Sequence, residues 1–149
     1  MAKAELLKAP LFKSFFKYMD IPVNRKSRSD SHKAFILAGK KLDEGYGLIV
    51  YPEGTISNEG ELRAFKNGAF KLAIDKQVPI IPVVNLNNWK LLQNGGFFKS
   101  FGRPGIARIM VFDPIPTTGL TEENLVALRD KTYAIINETL GKYNTGKKI

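Results

Sequence analysis

Glu53 and Gly54 stand in the stretch Tyr51-Pro52-Glu53-Gly54-Thr55-Ile56-Ser57, directly after the apolar run Leu48-Ile49-Val50. The run reads as a short buried strand. Pro52 stops it, having no N–H to give a sheet ladder and a fixed φ. Gly54 supplies the freedom for a tight turn and leaves Glu53 at the C-terminal end of the strand. In open α/β sheets that end is where ligands bind. The same residues also make ordinary turn chemistry, and both readings stand at this point. A second candidate is Arg25, which opens the basic cluster Arg25, Lys26 and Arg28 after the extended segment Asp20 to Asn24. A guanidinium there offers a bidentate seat for a phosphate; the alternative is a polar loop. His32, the only histidine, falls in the first turn of an expected helix and reads as surface rather than as a catalyst.

These groups need elements to carry them. Ser29 or Asp30 is placed to cap a helix running to about Glu44, with Phe35, Ala38 and Leu42 on one face, closed by Gly45 and Gly47. A second helix is expected over Phe65 to Lys76, with Phe65, Ala69, Phe70, Ala73 and Ile74 as its buried stripe. Pro79 to Val84 reads as a hydrophobic strand broken locally by Pro79 and Pro82, and Ile106 to Phe112 as a third strand stopped by Asp113-Pro114-Ile115-Pro116. Thr121 begins a final helix with Leu125, Leu128, Ile135, Ile136 and Leu140 on its apolar face. Strands alternating with helices imply an α/β fold of three αβα layers around a mixed, partly parallel sheet. Between them, Leu86 to Gly105 mixes Trp89, Phe97, Phe98 and Phe101 with Lys90, Lys99 and Arg103. That composition suits contact with a membrane, an acyl chain or a nucleic acid, or a simple cover over the core.

Composition narrows the partners. The chain has 149 residues, enough for one domain with a real core, and 44% hydrophobic residues with a mean hydropathy of −0.16 are globular values. No cysteine means no disulfide and no thiol catalysis. No apolar run reaches bilayer-spanning length, and the first residues lack a signal-peptide pattern. The net charge of +9 points to an anionic partner. From Met1 to Lys41 there are ten Lys/Arg against three Asp/Glu. Leu11, Phe12, Phe15, Phe16 and Met19 recur at helical spacing there with Lys13 and Lys17 between them, a pattern for a membrane interface or for packing on a core.

Taken together, the blocks resemble the glycerolipid acyltransferase family, whose best-known members are the 1-acyl-glycerol-3-phosphate (lysophosphatidate) acyltransferases. Tyr51-Pro52-Glu53-Gly54-Thr55 followed by Val78-Pro79-Ile80-Ile81-Pro82-Val83 is similar to the family's third and fourth blocks. Ile21-Pro22-Val23-Asn24-Arg25 resembles the second block, and Phe65-Lys66-Asn67-Gly68-Ala69-Phe70 the helix between the last two. The order and spacing hold over nearly the whole chain. Three positions depart from the usual pattern: Ile56 where an arginine is usual, Tyr51 for phenylalanine and Asn24 for aspartate.

The resemblance implies a glycerol-3-phosphate acyltransferase-like fold and a division of roles. Arg25 and Lys66, with Glu53, Gly54 and Thr55, would bind the acceptor: Arg25 on the phosphate, Glu53 and the Gly54 backbone on the glycerol part. Val78, Pro79, Ile80 and Pro82 would form the apolar floor for the acyl chain beside the thioester. No cofactor is implied; acyl-CoA or acyl carrier protein is a co-substrate, a glycerophospholipid is the acceptor, and an anionic membrane surface rather than a nucleic acid is the macroscopic partner. The family's catalytic block is His-x4-Asp, in which histidine takes the proton of the acceptor hydroxyl and aspartate orients it. His32 has Leu37 five places on and lies downstream of the arginine block, so it does not reproduce that pattern. Residues 1–149 are therefore expected to be a single, N-terminally incomplete domain with no catalytic residue of its own, inactive alone, cytoplasmic and peripheral to the membrane. The alternative is a non-catalytic module derived from the family that binds anionic lipid or acyl carrier protein.

Overall fold

A computed structural model of the chain describes residues 2–3, 21–23, 27–55, 61–92 and 101–145. Within them the chain divides into two compact units, Met1–Val50 and Tyr51–Ile149.

In the first unit, strands β1 (Ala2–Lys3) and β2 (Pro22–Val23) pair in parallel, Ala2 with Pro22 and Lys3 with Val23. Helix α1 (Arg28–Asp43) lies against β2 and turns Ala34 and Ala38 inward, while Ile36 and Leu37 stay exposed. Its cap is Ser27, whose hydroxyl oxygen accepts the Asp30 N–H at 3.1 Å, not Ser29 or Asp30 as the sequence suggests. Either serine has the chemistry, and Ser27 is the one that keeps extended backbone (φ −105°, ψ 120°), which leaves its oxygen facing the N–H groups of the first turn. Gly45 closes the helix at φ +86°, as expected. Leu48 to Val50 forms no strand, and Ile49 is 77% exposed. A strand needs a regular ladder along a neighbour's edge, and the ladder of this unit among the described residues is the two-residue β1–β2 pair, which does not include Leu48 to Val50.

The second unit is built on helix α2 (Gly68–Lys76), strand β3 (Val83–Asn85), the short helix α3 (Asn88–Leu91), strand β4 (Ile109–Val111), a 3-10 turn at Glu122–Asn124 and helix α4 (Leu125–Asn144). β3 and β4 pair antiparallel in the register Val83–Val111, Val84–Met110 and Asn85–Ile109. Beyond them a bridge joins Ile80 to Ile115. Between that bridge and Val83–Val111 the chain advances three residues on one side and four on the other, so one extra residue is accommodated on the Pro114 side. Pro82 and Pro114 lie in this interval, where neither can donate to the ladder. The irregular strand expected from Pro79 and Pro82 is thus present, shorter than Pro79 to Val84, and β4 is shorter than Ile106 to Phe112. The architecture is α/β.

The core joins Phe65, Phe70, Ile74, Ile115, Leu125 and Leu128, with Ile80, Leu120, Tyr133, Ile135 and Ile136 packed against it. Phe65 stacks with Phe70 at 6.2 Å and meets Tyr133 edge-on at 5.1 Å. The helix expected over Phe65 to Lys76 begins only at Gly68; of its stripe, Phe70, Ala73 and Ile74 are buried on α2 together with Leu72, Ala69 is half-buried, and Phe65 is buried from the segment before the helix. On α4, Thr132 and Thr139 share the buried face with Leu125 and Leu128. Their hydroxyls donate back to Leu128 O and Ile135 O at 2.8 and 2.7 Å, which is how a polar side chain is accommodated there. Gln77 ends α2 in left-handed backbone (φ +52°) and clasps the segment before α4: its side chain donates to Ile74 O and Leu120 O and accepts from the Gly119 N–H.

Candidate functional site: a glycine turn under a lysine

The turn that drew attention in the sequence is formed as such. The Gly54 N–H donates to Tyr51 O at 3.1 Å, and Gly54 takes φ +71°, a conformation that costs a residue with a Cβ roughly 1–2 kcal/mol. Two further bonds fasten this turn to the segment that enters α2. The Lys66 N–H donates to Pro52 O at 2.9 Å, and the Arg63 N–H donates to Glu53 Oε2 at 2.9 Å. The second bond spends one carboxylate oxygen of the half-buried Glu53. Its other oxygen has no partner among the described residues.

Lys66 then folds over Gly54. A Cβ built on Gly54 would come within 2.9 Å of Lys66 Cε and Nζ, so a side chain there would displace the end of the exposed lysine, while the positive φ is what requires glycine. Among the described residues the Lys66 ammonium has no ion pair, with Glu53 or any other carboxylate. The result is an exposed cation over a glycine turn whose neighbour Glu53 carries a carboxylate, assembled from two stretches of sequence. Thr55 is exposed at the edge of the turn. Arg63 was not legible as a partner, because it acts through a backbone N–H that any residue except proline supplies.

The entry to α2 is fixed from the far side. Asn67 accepts from Arg129 Nη1 of α4 at 2.9 Å, and Lys71 pairs with Glu122 at 2.9 Å, which raises the lysine pKa through that hydrogen bond. Lys66 therefore projects from a segment tied to Pro52 on one side and to α4 on the other.

The remaining sequence-derived candidates are placed differently. Val78 is half-buried and its carbonyl accepts from the Thr117 hydroxyl at 2.9 Å. Pro79 is exposed, Ile80 is packed on the core and paired with Ile115, and Pro82 is buried with its carbonyl bound to the Phe112 N–H. Arg25 lies outside the described residues, as does Leu7 to Met19. His32 is exposed on α1. Among the described residues no cluster of three His, Asp or Glu is arranged to hold a metal, and no helix is long and apolar enough to cross a membrane.

Comparison with known proteins bears directly on this turn. The family model described as Acyltransferase matches residues 1–85, which includes the whole of the Glu53–Lys66 arrangement. The chain is 35% identical over 118 residues to human 1-acyl-sn-glycerol-3-phosphate acyltransferase beta, covering 78% of this chain and 41% of that protein. It is 33% identical over 141 residues to the 1-acyl-sn-glycerol-3-phosphate acyltransferase of Haemophilus influenzae, covering 84% of this chain and 53% of that one. Among solved structures, the crystal structure of the 1-acyl-sn-glycerophosphate (LPA) acyltransferase PlsC from Thermotoga maritima superposes with a TM-score of 0.78 at 28% identity, over 96% of this chain and 55% of that one. The chain spans about half the length of the relatives it matches.

Proposed function

This chain belongs to the glycerolipid acyltransferase family, and on that premise we propose that it forms the acceptor-binding part of an enzyme that moves an acyl group from acyl-CoA or acyl carrier protein to the free hydroxyl of a lysophosphatidate-like glycerolipid. The observation that carries the proposal is the Lys66 ammonium lying over Gly54, next in sequence to Glu53, with no ion pair among the described residues. Lysophosphatidate has the complementary groups, a phosphate for the cation and a glycerol hydroxyl to donate to Glu53. Arg25, the arginine of the second block, lies outside the described residues and is proposed as a phosphate-binding residue from the resemblance of its block, a guanidinium being able to hold a phosphate by two hydrogen bonds. Thr55 at the rim would contact the same headgroup. Val78, Pro79, Ile80 and Pro82 would supply the apolar floor, within the layered αβα arrangement typical of the family.

Chemistry requires a base for the acceptor hydroxyl, which then attacks the thioester carbonyl and expels the thiolate of the carrier. No cofactor enters. The only histidine of these 149 residues, His32, lacks a carboxylate five places on, so this chain by itself is expected to bind the acceptor without turning it over. Loss of a positioned base costs on the order of 10²- to 10⁴-fold. The second reading is a non-catalytic module derived from the family that binds anionic lipid or acyl carrier protein, and the net charge of +9 suits it equally. Both readings place it in the cytoplasm, peripheral to an anionic membrane surface.

The test is calorimetric titration of the chain with short-chain lysophosphatidate, alongside an assay of coenzyme A release from acyl-CoA. Saturable binding that Lys66→Ala and Arg25→Ala each weaken strongly is the expected result. Turnover well above background that His32→Ala removes would instead assign His32 as the base. Binding untouched by both cation variants would remove the acceptor site from this turn.

A further inference from the structure

A different surface of the second unit is built for a different kind of contact. α3 and the segment before β4 are fastened together at their base. The Arg103 N–H donates to Leu91 O at 2.9 Å, Arg103 Nε donates to Lys90 O at 2.9 Å, and Leu92 bridges Gly102. Asn87 holds the following stretch with both ends of its amide, donating to Ile106 O at 2.8 Å and accepting the Arg108 N–H at 2.7 Å. On this fixed base the side chains face outward. Leu92 is 68% exposed, Phe101 61% and Ile106 80%.

Trp89, Lys90, Phe101 and Arg103 line an open depression of about 210 Å³. The Lys90 ammonium lies 5.2 Å from the Trp89 ring and 5.5 Å from that of Tyr143, and no carboxylate pairs with Lys90 or Arg103 among the described residues. The sequence enforces this bias: between Asp75 and Asp113 there is no acidic residue, against Lys76, Lys90, Lys99, Arg103 and Arg108.

We propose that the surface formed by Trp89, Lys90, Leu92, Phe101 and Arg103 is where this protein rests on an anionic lipid bilayer. Exposed Leu and Phe beside a tryptophan enter the boundary between headgroups and acyl chains, where an amphipathic ring is at home, and the unpaired cations meet lipid phosphates. A small soluble anion would leave the apolar side chains in water, which is why a surface rather than a molecule is the occupant. The inference rests on the membrane-surface reading above and locates it on residues separate from the Glu53–Lys66 turn.

Trp89 is the only tryptophan, so its fluorescence reports this surface alone. The chain is mixed with vesicles of phosphatidylcholine and, separately, of phosphatidylcholine with phosphatidylglycerol, each carrying brominated acyl chains. A blue shift and quenching of Trp89 by the anionic vesicles, with little response to the neutral ones, are expected. Each of Lys90→Ala and Arg103→Ala should weaken that response about fivefold, and Leu92→Asp with Phe101→Asp should abolish quenching. Circular dichroism of the variants and their titration with short-chain lysophosphatidate serve as controls. Failure of that titration in every form would count against the acceptor site only. Vesicle binding that leaves Trp89 unquenched would overturn the present proposal, as would equal quenching by neutral lipid. A Trp89 response to an oligonucleotide but not to vesicles would do the same.

Discussion

The Glu53–Lys66 turn and the Trp89–Arg103 surface use the same kind of charge in opposite ways. In the turn, three backbone N–H groups, those of Gly54, Arg63 and Lys66, tie the glycine, the Glu53 carboxylate and the backbone that carries Lys66 into one framework. The other surface is anchored only at its base, and from residue 101 to 109 every residue is exposed. A framework of fixed groups selects one small molecule by geometry, whereas a shallow basic and apolar face adheres to an extended one by area and charge. What separates the two is the backbone around the cations, not the cations themselves.

Because both regions rest on the core of the second unit, the largest effect should abolish them together. Phe70→Ala is expected to cost about 3–5 kcal/mol, since Phe70 is 2% exposed and stacks on Phe65. Chemical denaturation followed by circular dichroism and by Trp89 emission should show both signals shifting to the same lower midpoint. A Trp89 transition left in place would mean that the two regions do not share a core.

Gly54→Val separates them. The added side chain meets Lys66 at 2.9 Å and must adopt φ +71°, at roughly 1–2 kcal/mol for the backbone alone. Lysophosphatidate binding should disappear in calorimetry while vesicle binding persists; loss of both would show that the distinction is false.

Thr117→Val is smaller and should touch neither affinity. Thr117 is 1% exposed and its hydroxyl donates to Val78 O at 2.9 Å, with Ala73 O, which also accepts the Val78 N–H, at 3.3 Å, so its loss takes the donor from the Val78 carbonyl at about 1–3 kcal/mol. The readout is a lower melting midpoint with unchanged titrations.

Salt sharpens the contrast without mutation. Raising it from 0.1 to 1 M shortens the Debye length from about 10 to 3 Å, and vesicle co-sedimentation should fall steeply while lysophosphatidate affinity falls less. Equal losses would place Lys66 among merely solvated charges.

The smallest effect belongs to α4, where the hydrogen bond and charge of Lys142 hold the Glu138 carboxyl below the usual carboxylate range. A depressed folded pKa stabilises above the unfolded pKa, and that contribution is lost as pH falls through the folded value. The pair is fully exposed, so Glu138→Gln should leave the midpoint at neutral pH within error and change only the carboxyl titration seen by NMR. A clear drop in that midpoint would contradict this.

The sequence by itself determined those features that depend on local chemistry. Gly54 and Gly45 take positive φ because those turns need it, Pro79 and Pro82 break their strand because proline has no donor, and Phe70, Ala73 and Ile74 are buried because their spacing matches one helical face. The order of the blocks sufficed to indicate the family. Only tertiary structure decided which groups meet. That Lys66 covers Gly54, that Arg63 lends its N–H to Glu53, and that Asn67 is held by Arg129 across 62 residues follow from packing between elements, to which no local rule refers. Leu48 to Val50 shows the same limit from the other side. Its residues favour a strand, but a strand exists only where another offers its edge, and no spacing within one segment records that.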